Sequence, residues 1–310
     1  MIELAHVTKK YGAVTALRDV NLHVKAGETL GLLGRNGAGK TTALNVITGY
    51  FPPTEGRVAI GGTDMLRDPR GCKRMIGYLP ERPPLYDEMT VEDYLLFVSE
   101  LREVVRKARR AHVDEILELC ALTEVRRRVI GHLSKGYRQR TGIAQALCGS
   151  PEILILDEPT VGLDPRQTAE MRELIRRLGA EHTVIFSSHI LGEVQQICTR
   201  AVILHGGRIK RSLRLDTGDE GTRRLRLRAA GEEETLKRAL GALPCVREIE
   251  TLPAETEGEA CFRLVCEGTE GNGRAEDRIF RTLAGLDAPI RSLQEEQDTL
   301  EEIFLRETED

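Results

Sequence analysis

Short apolar runs that predict buried strands alternate with segments of helical spacing through the first two thirds of the chain. Residues 29–33 form one such run and lead through a glycine-rich segment into a helical pattern. Residues 153–156 form another, followed by a helical pattern over about 166–179. Further apolar runs lie at 183–186 and 201–204. Strands that alternate with helices in this way predict an α/β fold with a mostly parallel sheet.

A long stretch of helical spacing separates the two halves of this pattern. Thr90 is a residue type favoured at a helix N-cap, and apolar residues recur after it at helical spacing. A second helical segment covers about 107–121, and a third begins after Ser134. Residues from about 83 to 150 therefore predict a helical insert within the α/β core.

The composition changes near residue 214, beyond which glutamate, glycine and arginine are frequent and apolar runs are few. The pattern there predicts, in order, a strand, a helix, two strands, a helix and a strand, at about 224–228, 232–243, 246–251, 260–266, 275–285 and 289–293. This βαββαβ order is the ferredoxin-like arrangement. We expect two domains, 1–214 and 215–310, the second a small α+β regulatory or accessory domain. Its last helix carries an apolar stripe that must pack against something: Leu300, Ile303 and Phe304.

Composition narrows the class of protein. The 310 residues carry a net charge of −4 and a pI of about 6.1, so no general basic field exists to attract nucleic acid. Seven cysteines occur without a C-x-x-C pair, which argues against a zinc site or a disulfide framework and fits a reducing cytoplasm. No apolar run approaches the ~20 residues that span a bilayer, and the N-terminus begins without an apolar signal segment.

A glycine-rich segment follows the first apolar run. Residues 34–41 fit the pattern G-x-x-x-x-G-K-[ST], in which backbone N–H groups surround phosphate oxygens at the positive end of a helix. Lys40 adds a charge toward the β- and γ-phosphates, and the Thr41 hydroxyl is a Mg²⁺ ligand. A chance match arises in roughly one chain of this length in a hundred. The predicted nucleotide-binding residues are Gly34, Arg35, Asn36, Gly37, Ala38, Gly39, Lys40, Thr41 and Thr42.

Two acidic residues end the run at 153–156. An aspartate at the carboxyl end of a parallel strand points into the crevice beside the phosphate loop, where Asp157 can hold Mg²⁺ directly or through water. Glu158 then stands where an attacking water needs a general base. In isolation, an acidic strand end that simply faces solvent is an equally good explanation. The neighbouring phosphate loop favours the catalytic one.

A third segment, LSKGYRQR at 133–140, supplies another helix start with anion-binding groups. Ser134 offers a hydroxyl, and Gly136 lies among the free N–H groups of the first helical turn. A chain with two phosphate-directed helix starts suggests two half-sites, each completed by a second subunit.

This segment resembles the signature of the ABC ATPase family. The phosphate loop, the acidic strand end and His189 stand in that family's order, and the resemblance covers about residues 1–211. It implies a P-loop NTPase cassette, a mostly parallel sheet with a helical insert, that binds ATP and Mg²⁺ and hydrolyses ATP.

The resemblance also implies roles for single residues. Tyr11 matches the aromatic residue that stacks on adenine, and His189 matches the histidine that contacts the γ-phosphate as part of the catalytic site. Ser134 and Gly136 would face the nucleotide bound to the partner subunit, and Asp164 lies in the loop that crosses the dimer interface. In isolation Tyr11 would be a surface aromatic and His189 a structural histidine, so these roles depend on the context.

The sequence departs from the family pattern at three positions. The signature has Lys135 where the family usually has glycine, and Tyr137 where it usually has glutamine. Glu81 occupies the position of a glutamine that senses Mg²⁺ and water. A carboxylate can also ligate Mg²⁺, so Glu81 is predicted to belong to the metal site and to tune the rate.

Three segments together resemble one branch of the family, the type 2 exporters: GYLPE at 77–81, the signature, and LEEIFL at 300–305. In that branch the ATPase and membrane subunits are separate chains. The resemblance implies a homodimer, or an ATP-sandwich dimer with a paralogous subunit, on a separate transmembrane permease. It places the chain on the cytoplasmic face of the cell membrane, without a nucleic-acid partner, and does not identify the cargo.

Three other functions fit the sequence less well. A soluble ABC ATPase of translation or DNA repair usually has two cassettes or long coiled-coil inserts, and neither occurs here. A degenerate cassette that only binds ATP is disfavoured by Glu158 and His189, whereas Glu81 leaves it open. A small GTPase is unsupported, since no Asn-Lys-x-Asp motif is present.

Overall fold

The computed structural model describes residues 1–215, 222–254, 256, 258–267, 275–295 and 300–308. The chain divides into two compact units, one of Met1–Asp216 together with Phe304–Asp310 and the other of Thr217–Ile303. The end of the last helix therefore makes its contacts with the first unit. The sequence pattern, which assigns that whole helix to the second domain, gives no sign of this.

Two β-sheets form the framework of the first unit. Their strands are β1 (Ile2–Tyr11), β2 (Val14–Val24), β3 (Thr29–Leu33), β4 (Glu55–Ile60), β5 (Thr63–Asp64), β6 (Ile76–Leu79), β7 (Ile153–Asp157), β8 (Thr183–Ser188), β9 (Arg200–His205) and β10 (Arg208–Arg214). The larger sheet has the order β10-β9-β3-β8-β7-β6, and only the β10–β9 pair is antiparallel. The smaller sheet, β2-β1-β4-β5, is antiparallel. The predicted mostly parallel sheet is confirmed.

Burial explains why the central strands appear in the sequence as continuous apolar runs. Every residue of β3, β7 and β8 is buried, as expected for parallel strands that are covered on both faces. Side chains from the two sheets and the first helix share one core. The strands thus hold their carboxyl ends in fixed positions, and the loops of the candidate site extend from those ends.

The helices of the first unit are α1 (Lys40–Ile47), α2 (Pro69–Arg74), α3 (Val91–Leu101), α4 (Arg109–Leu119), α5 (Lys135–Leu147), α6 (Pro165–Glu181) and α7 (Leu191–Ile197). Three of them, α3 to α5, lie between β6 and β7 and form the predicted helical insert. The predicted N-cap residue of α3 is confirmed, since the Thr90 hydroxyl accepts a hydrogen bond from the N–H of Asp93. No helix in the described parts of the chain is long and apolar enough to cross a bilayer.

The second unit has the predicted βαββαβ order. Its elements are β11 (Thr222–Ala230), α8 (Glu233–Gly241), β12 (Val246–Leu252), β13 (Glu259–Glu267), α9 (Ala275–Gly285) and β14 (Ile290–Glu295), and α10 (Leu300–Thr308) follows them. The antiparallel sheet has the order β12-β13-β11-β14. Alternate residues of β11, Leu225, Leu227 and Ala229, are buried in the core of this unit.

Candidate functional site

The glycine-rich loop joins β3 to α1 and leaves the first N–H groups of the helix free. Gly39 precedes α1 with a φ of +109°, and no side chain caps the helix. A Cβ atom at Gly39 would lie 2.8 Å from the carbonyl oxygen of Ala16 in β2, closer than such atoms approach in proteins. Glycine is therefore required here by both conformation and space. Free N–H groups at the positive end of a helix suit a phosphate.

Lys40 lies buried at the start of α1, with 7% of its surface exposed. Its Nζ donates a hydrogen bond of 2.7 Å to the carbonyl oxygen of Gly34 and lies 3.3 Å from Oε1 of Glu158. An ammonium group has three donors, and these two contacts leave one of them for a phosphate oxygen.

Glu158 follows β7 in the left-handed region, with a φ of +48°. Its N–H donates to Oγ of Ser187 at 2.9 Å, and its Oε2 lies 2.8 Å from Nδ1 of His189. A left-handed conformation costs about 1 to 3 kcal/mol for a residue with a side chain, and such strain is characteristic of functional sites. The carboxylate is thus fixed between Lys40 and His189, as a general base must be.

Asp157 is fully buried at the end of β7, and only one of its oxygens has a partner. Oδ1 accepts a 2.6 Å hydrogen bond from the Ser187 hydroxyl, whereas Oδ2 has no hydrogen-bond partner among the described residues. Burial raises the pKa of this carboxyl, the hydroxyls of Ser187 and Thr41 oppose that rise, and the charges of Glu158 and Glu81 add to it. A buried oxygen without a partner fits a cation or its bound water.

The structure brings Glu81 to the same edge of the sheet. It follows β6, which pairs with β7 so that Leu79 lies beside Leu156, and it is exposed. Its negative charge adds slightly to the rise in the pKa of Asp157, which is caused mainly by burial. In the described parts of the chain no group of three or more His, Cys, Asp or Glu could hold a metal by itself. The predicted roles of Asp157, Thr41 and Glu81 as Mg²⁺ ligands stay predictions.

The signature residues lie at the start of α5, against the start of α6. The Ser134 hydroxyl caps α5 by accepting from the N–H of Tyr137 at 3.5 Å, and Asp164 caps α6 by accepting from the N–H of Gln167 at 2.8 Å. Gly136 is buried beneath the Gln167 side chain, since a Cβ atom at Gly136 would lie 2.9 Å from its amide. Ser134, Gly136 and Asp164 thus make their described contacts with residues of α5 and α6.

Tyr11 ends β1 on the hairpin that approaches the phosphate loop, and 41% of its surface is exposed. The predicted site residues therefore fall into three groups. One group is linked by direct contacts or by charge: Lys40, Asp157, Glu158, His189 and Glu81. A second group lies where α5 meets α6: Ser134, Gly136 and Asp164. Tyr11 lies apart from both, at the hairpin. Their roles in binding and catalysis stay predictions.

Sequence reasoning missed two residues that hold this site in place. Ser187 binds both Asp157 and the N–H of Glu158. Glu193, with 2% of its surface exposed, accepts hydrogen bonds from the hydroxyls of Thr160 and Ser188 and so fixes the loops on both sides of the site. Ser187 could have been found from the sequence, because two serines directly precede His189. Nothing local distinguishes Glu193 from a surface residue of α7.

Comparison with known proteins agrees with this geometry. The family model described as ABC transporter matches residues 17–161. The bacitracin transport ATP-binding protein BcrA of Bacillus licheniformis is 38% identical over 218 residues, which cover 70% of each chain. The ABC transporter ATP-binding protein NatA of Bacillus subtilis is 36% identical over 67% of this chain and 87% of its own.

Solved structures share the fold of the first unit. The dimeric structure of MJ0796, a bacterial ABC transporter cassette, superposes with a TM-score of 0.65 at 29% identity, over 70% of this chain and all of that one. A post-hydrolysis state of the same cassette, bound to ADP and phosphate, gives 0.64 at 28% identity, over 70% and 100%. The chain described here therefore belongs to the ABC transporter family, as an ATP-binding subunit with ATPase activity.

Proposed function

We propose that this chain pairs with a second copy, or with a paralogous subunit, to enclose ATP and drive export through a separate membrane-embedded permease. The observation that carries the proposal is the separation of two phosphate-directed helix starts. The start of α1 lies beside Lys40 and Glu158, whereas the start of α5 contacts α6 and the loop before it. A nucleotide held on α1 of one chain would complete its site with Ser134 and Gly136 of the other.

The contacts in the first group support a hydrolysis mechanism. Lys40 and the N–H groups of α1 would hold the phosphates, and Glu158 would take a proton from the attacking water while His189 fixes its carboxylate. Asp157, Thr41 and Glu81 would hold Mg²⁺, which when bound neutralises phosphate charge.

Names of relatives support export and leave the cargo open. BcrA is named for bacitracin transport, and a relative from Bacillus subtilis that is 34% identical is named for linearmycin resistance. We extend to this chain only the direction, outward, and its place at the cytoplasmic face of a membrane.

The proposal assigns the chemistry to residues 1–214, including the helical insert at about 83–150, and regulation or dimerisation to 215–310. The end of α10 contacts the first unit, where Glu307 lies 3.5 Å from Arg211 of β10. A partly exposed ion pair of this kind contributes at most about 1 kcal/mol. We expect a chain that ends near residue 214 to keep its affinity for ATP, as calorimetry would show.

Mixing two inactive variants tests the shared site. Lys40→Ala removes the ammonium group from the phosphate loop, and a charge-assisted hydrogen bond is worth about 1.5–3 kcal/mol, or roughly a 10- to 200-fold loss of ATP affinity. Ser134→Ala damages only the signature side. A mixed dimer contains one site with both sides intact, so the mixture should recover ATPase activity that neither variant has alone. A mixture that shows only the mean of the two separate activities contradicts a shared site.

The membrane partner needs its own test. A membrane protein with several spanning helices, encoded beside this chain, should co-purify with it and raise its ATPase activity when the two are reconstituted in vesicles. ATP-dependent transport of a fluorescent drug out of cells that express both, and loss of that transport in Glu158→Gln, would support export. Uptake of the same drug would show that the direction is wrong.

A further inference from the structure

We propose that Phe51 and Lys9 are positioning residues that hold the ring of Tyr11 ready to stack on the nucleotide base. The inference rests on the proposed role of Tyr11 at the base. It adds two residues that belong to none of the nucleotide motifs, and it links the base end of the site to the phosphate end through α1.

The rings of Tyr11 and Phe51 meet edge to face. Their centroids are 6.0 Å apart and their planes are inclined by 83°, which is a favoured arrangement for aromatic pairs. Both rings are partly exposed, 41% for Tyr11 and 37% for Phe51. The exposed ring of Tyr50 also contacts Phe51, and the centroids of these two rings are 4.7 Å apart. Tyr11 is thus supported by a neighbour while much of its ring stays accessible.

Lys9 connects the two rings. It lies two residues before Tyr11 in β1, so both side chains leave the same face of the strand. Its Nζ lies 5.1 Å from the Tyr11 centroid and 5.4 Å from that of Phe51, within the range of a cation–π contact. The same ammonium group donates a 2.8 Å hydrogen bond to the carbonyl oxygen of Pro52. One lysine therefore restrains both rings and the backbone beside them.

The segment that carries Phe51 is itself fixed against β1. The N–H of Thr54 donates to the carbonyl oxygen of Thr8 at 2.8 Å, and the N–H of Lys10 donates to Oγ1 of Thr54 at 3.0 Å. The N–H of Phe51 donates to the carbonyl oxygen of Asn45 in the last turns of α1. Phe51 is therefore held both by β1 and by the helix.

These contacts make α1 a link between the two ends of the nucleotide site. Its first residue is Lys40 of the phosphate loop, its eight residues span about 12 Å, and Phe51 lies in the segment that follows its C-terminus. A ring that is already held in place loses less freedom when a base stacks on it. Stacking tolerates any base, so the two positioning residues should set the affinity for nucleoside triphosphates more than the choice of base.

The test compares ATP with inorganic tripolyphosphate, which has the phosphates and no base. Phe51→Ala should raise the KM for ATP roughly two- to tenfold, and Lys9→Met roughly two- to fivefold, with kcat unchanged. The inhibition constant of tripolyphosphate should stay at the wild-type value in both. Phe51→Trp and Lys9→Arg, which keep a ring and a cation, should restore the KM.

Matched controls come from the same strand and the same turn. Lys10→Met removes a lysine that pairs with Glu55 at 2.8 Å, and Tyr50→Ala removes a ring that contacts Phe51 but, among the ring contacts of the described residues, not Tyr11. Lys10→Met should keep the wild-type KM, and Tyr50→Ala should change it less than Phe51→Ala. If Phe51→Ala fails to fold, Lys9→Met carries the test, because it removes no aromatic ring from the protein.

The variant Tyr11→Ala separates failure of this inference from failure of the proposed function. If it leaves the KM for ATP unchanged, Tyr11 does not stack on the base and the proposed role itself is wrong. If it raises the KM while Phe51→Ala and Lys9→Met match the wild type, only the positioning role is wrong. An equal rise in the KM and in the tripolyphosphate inhibition constant would also overturn it, since the damage would then lie in the phosphate loop.

Discussion

The starts of α1 and α5 are both built to attract an anion, yet their surroundings differ. At α1 no side chain caps the helix, and a buried lysine, a carboxylate and a histidine lie in a connected group beside it. At α5 the Ser134 hydroxyl caps its own helix, and the neighbours belong to α6. A helix start is therefore only half of a phosphate site. In the proposed function the chemistry lies with α1, and α5 meets a phosphate that another chain supplies.

Each helix has a lysine as its first residue, a position that the helix dipole disfavours for a cation. Lys40 is compensated by Glu158, 3.3 Å away. Lys135 is exposed, and it forms no ion pair with any residue that the structure describes. Its Nζ lies over Gly162, 2.0 Å from the place of an added Cβ atom, and Gly162 has a φ of +70°. Among the described residues, the cation at α5 thus has no counterpart to the Glu158 carboxylate that lies beside the cation at α1.

Replacement of the base at the α1 side gives the largest expected effect. Glu158→Gln keeps an oxygen for Lys40 but cannot accept the proton of water, so hydrolysis should slow by about 10²–10⁴ while ATP still binds. An ATP-bound dimer should accumulate and be visible by size-exclusion chromatography with light scattering. The double variant with Ser134→Ala, which weakens the α5 side, should accumulate less of it. Wild-type turnover in Glu158→Gln would mean that another residue activates the water.

Asp157→Asn tests the unpaired charge on the α1 side. Burial raises the pKa of this carboxyl, so above the raised pKa the folded chain carries a buried charge that costs stability. The wild type gains stability as the pH falls through that pKa toward the lower pKa of the unfolded chain. Asparagine keeps an acceptor for Ser187 without the charge. Near neutral pH the variant should therefore melt higher than the wild type in thermal denaturation and lose Mg²⁺-dependent ATPase activity.

The difference in melting temperature should shrink as the pH is lowered, because the wild-type carboxyl then becomes neutral as well. Mg²⁺ with ATP should stabilise the wild type more than Asp157→Asn. Ser187→Ala provides a matched control, since it removes the partner of Oδ1 and leaves the charge in place. A variant that melts lower than the wild type at every pH would show that the Asp157 charge does not strain the fold.

The two helix starts were predictable from sequence because each depends on a short, local pattern. Glycines, a lysine and a hydroxyl residue specify the loop before α1, and Ser134 with Gly136 marks α5. The central strands were also predictable, since burial on both faces leaves continuous apolar runs.

The remaining contacts join residues that are distant in sequence. Ser187 meets Asp157 only because β7 and β8 pair in parallel, and Phe51 meets Tyr11 only because the chain after α1 returns to β1. The end of α10 packs with the first unit although its apolar stripe is compatible with either unit. Such partners depend on strand order and tertiary packing, which local periodicity does not specify.

Lys135→Gln tests the unpaired cation on the α5 side. Removing a positive charge from a helix start should stabilise the free chain by about 0.3–1 kcal/mol in urea unfolding. It should also raise the KM for ATP by up to about fivefold, if this cation meets the phosphates of a second chain across an exposed interface. Lys107→Gln, an exposed lysine before α4, is the control. A KM equal to that of the wild type would show that α5 acts through its backbone and Ser134 alone.

Glu81→Gln has the smallest expected effect, because Glu81 is exposed and reaches the α1 group only through charge and through the metal that Asp157 and Thr41 would also hold. The amide is a weaker Mg²⁺ ligand than the carboxylate, so the variant should need more Mg²⁺ for half-maximal ATPase activity. An exposed charge contributes at most about 1 kcal/mol, which limits the shift to about fivefold.

Glu88→Gln, which changes an exposed glutamate of the same loop, is the control and should not move the Mg²⁺ titration. Identical titration curves for Glu81→Gln and the wild type would remove Glu81 from the metal site. A shift to lower Mg²⁺ would instead show that its charge acts on Asp157, whose pKa falls when a neighbouring carboxylate is removed.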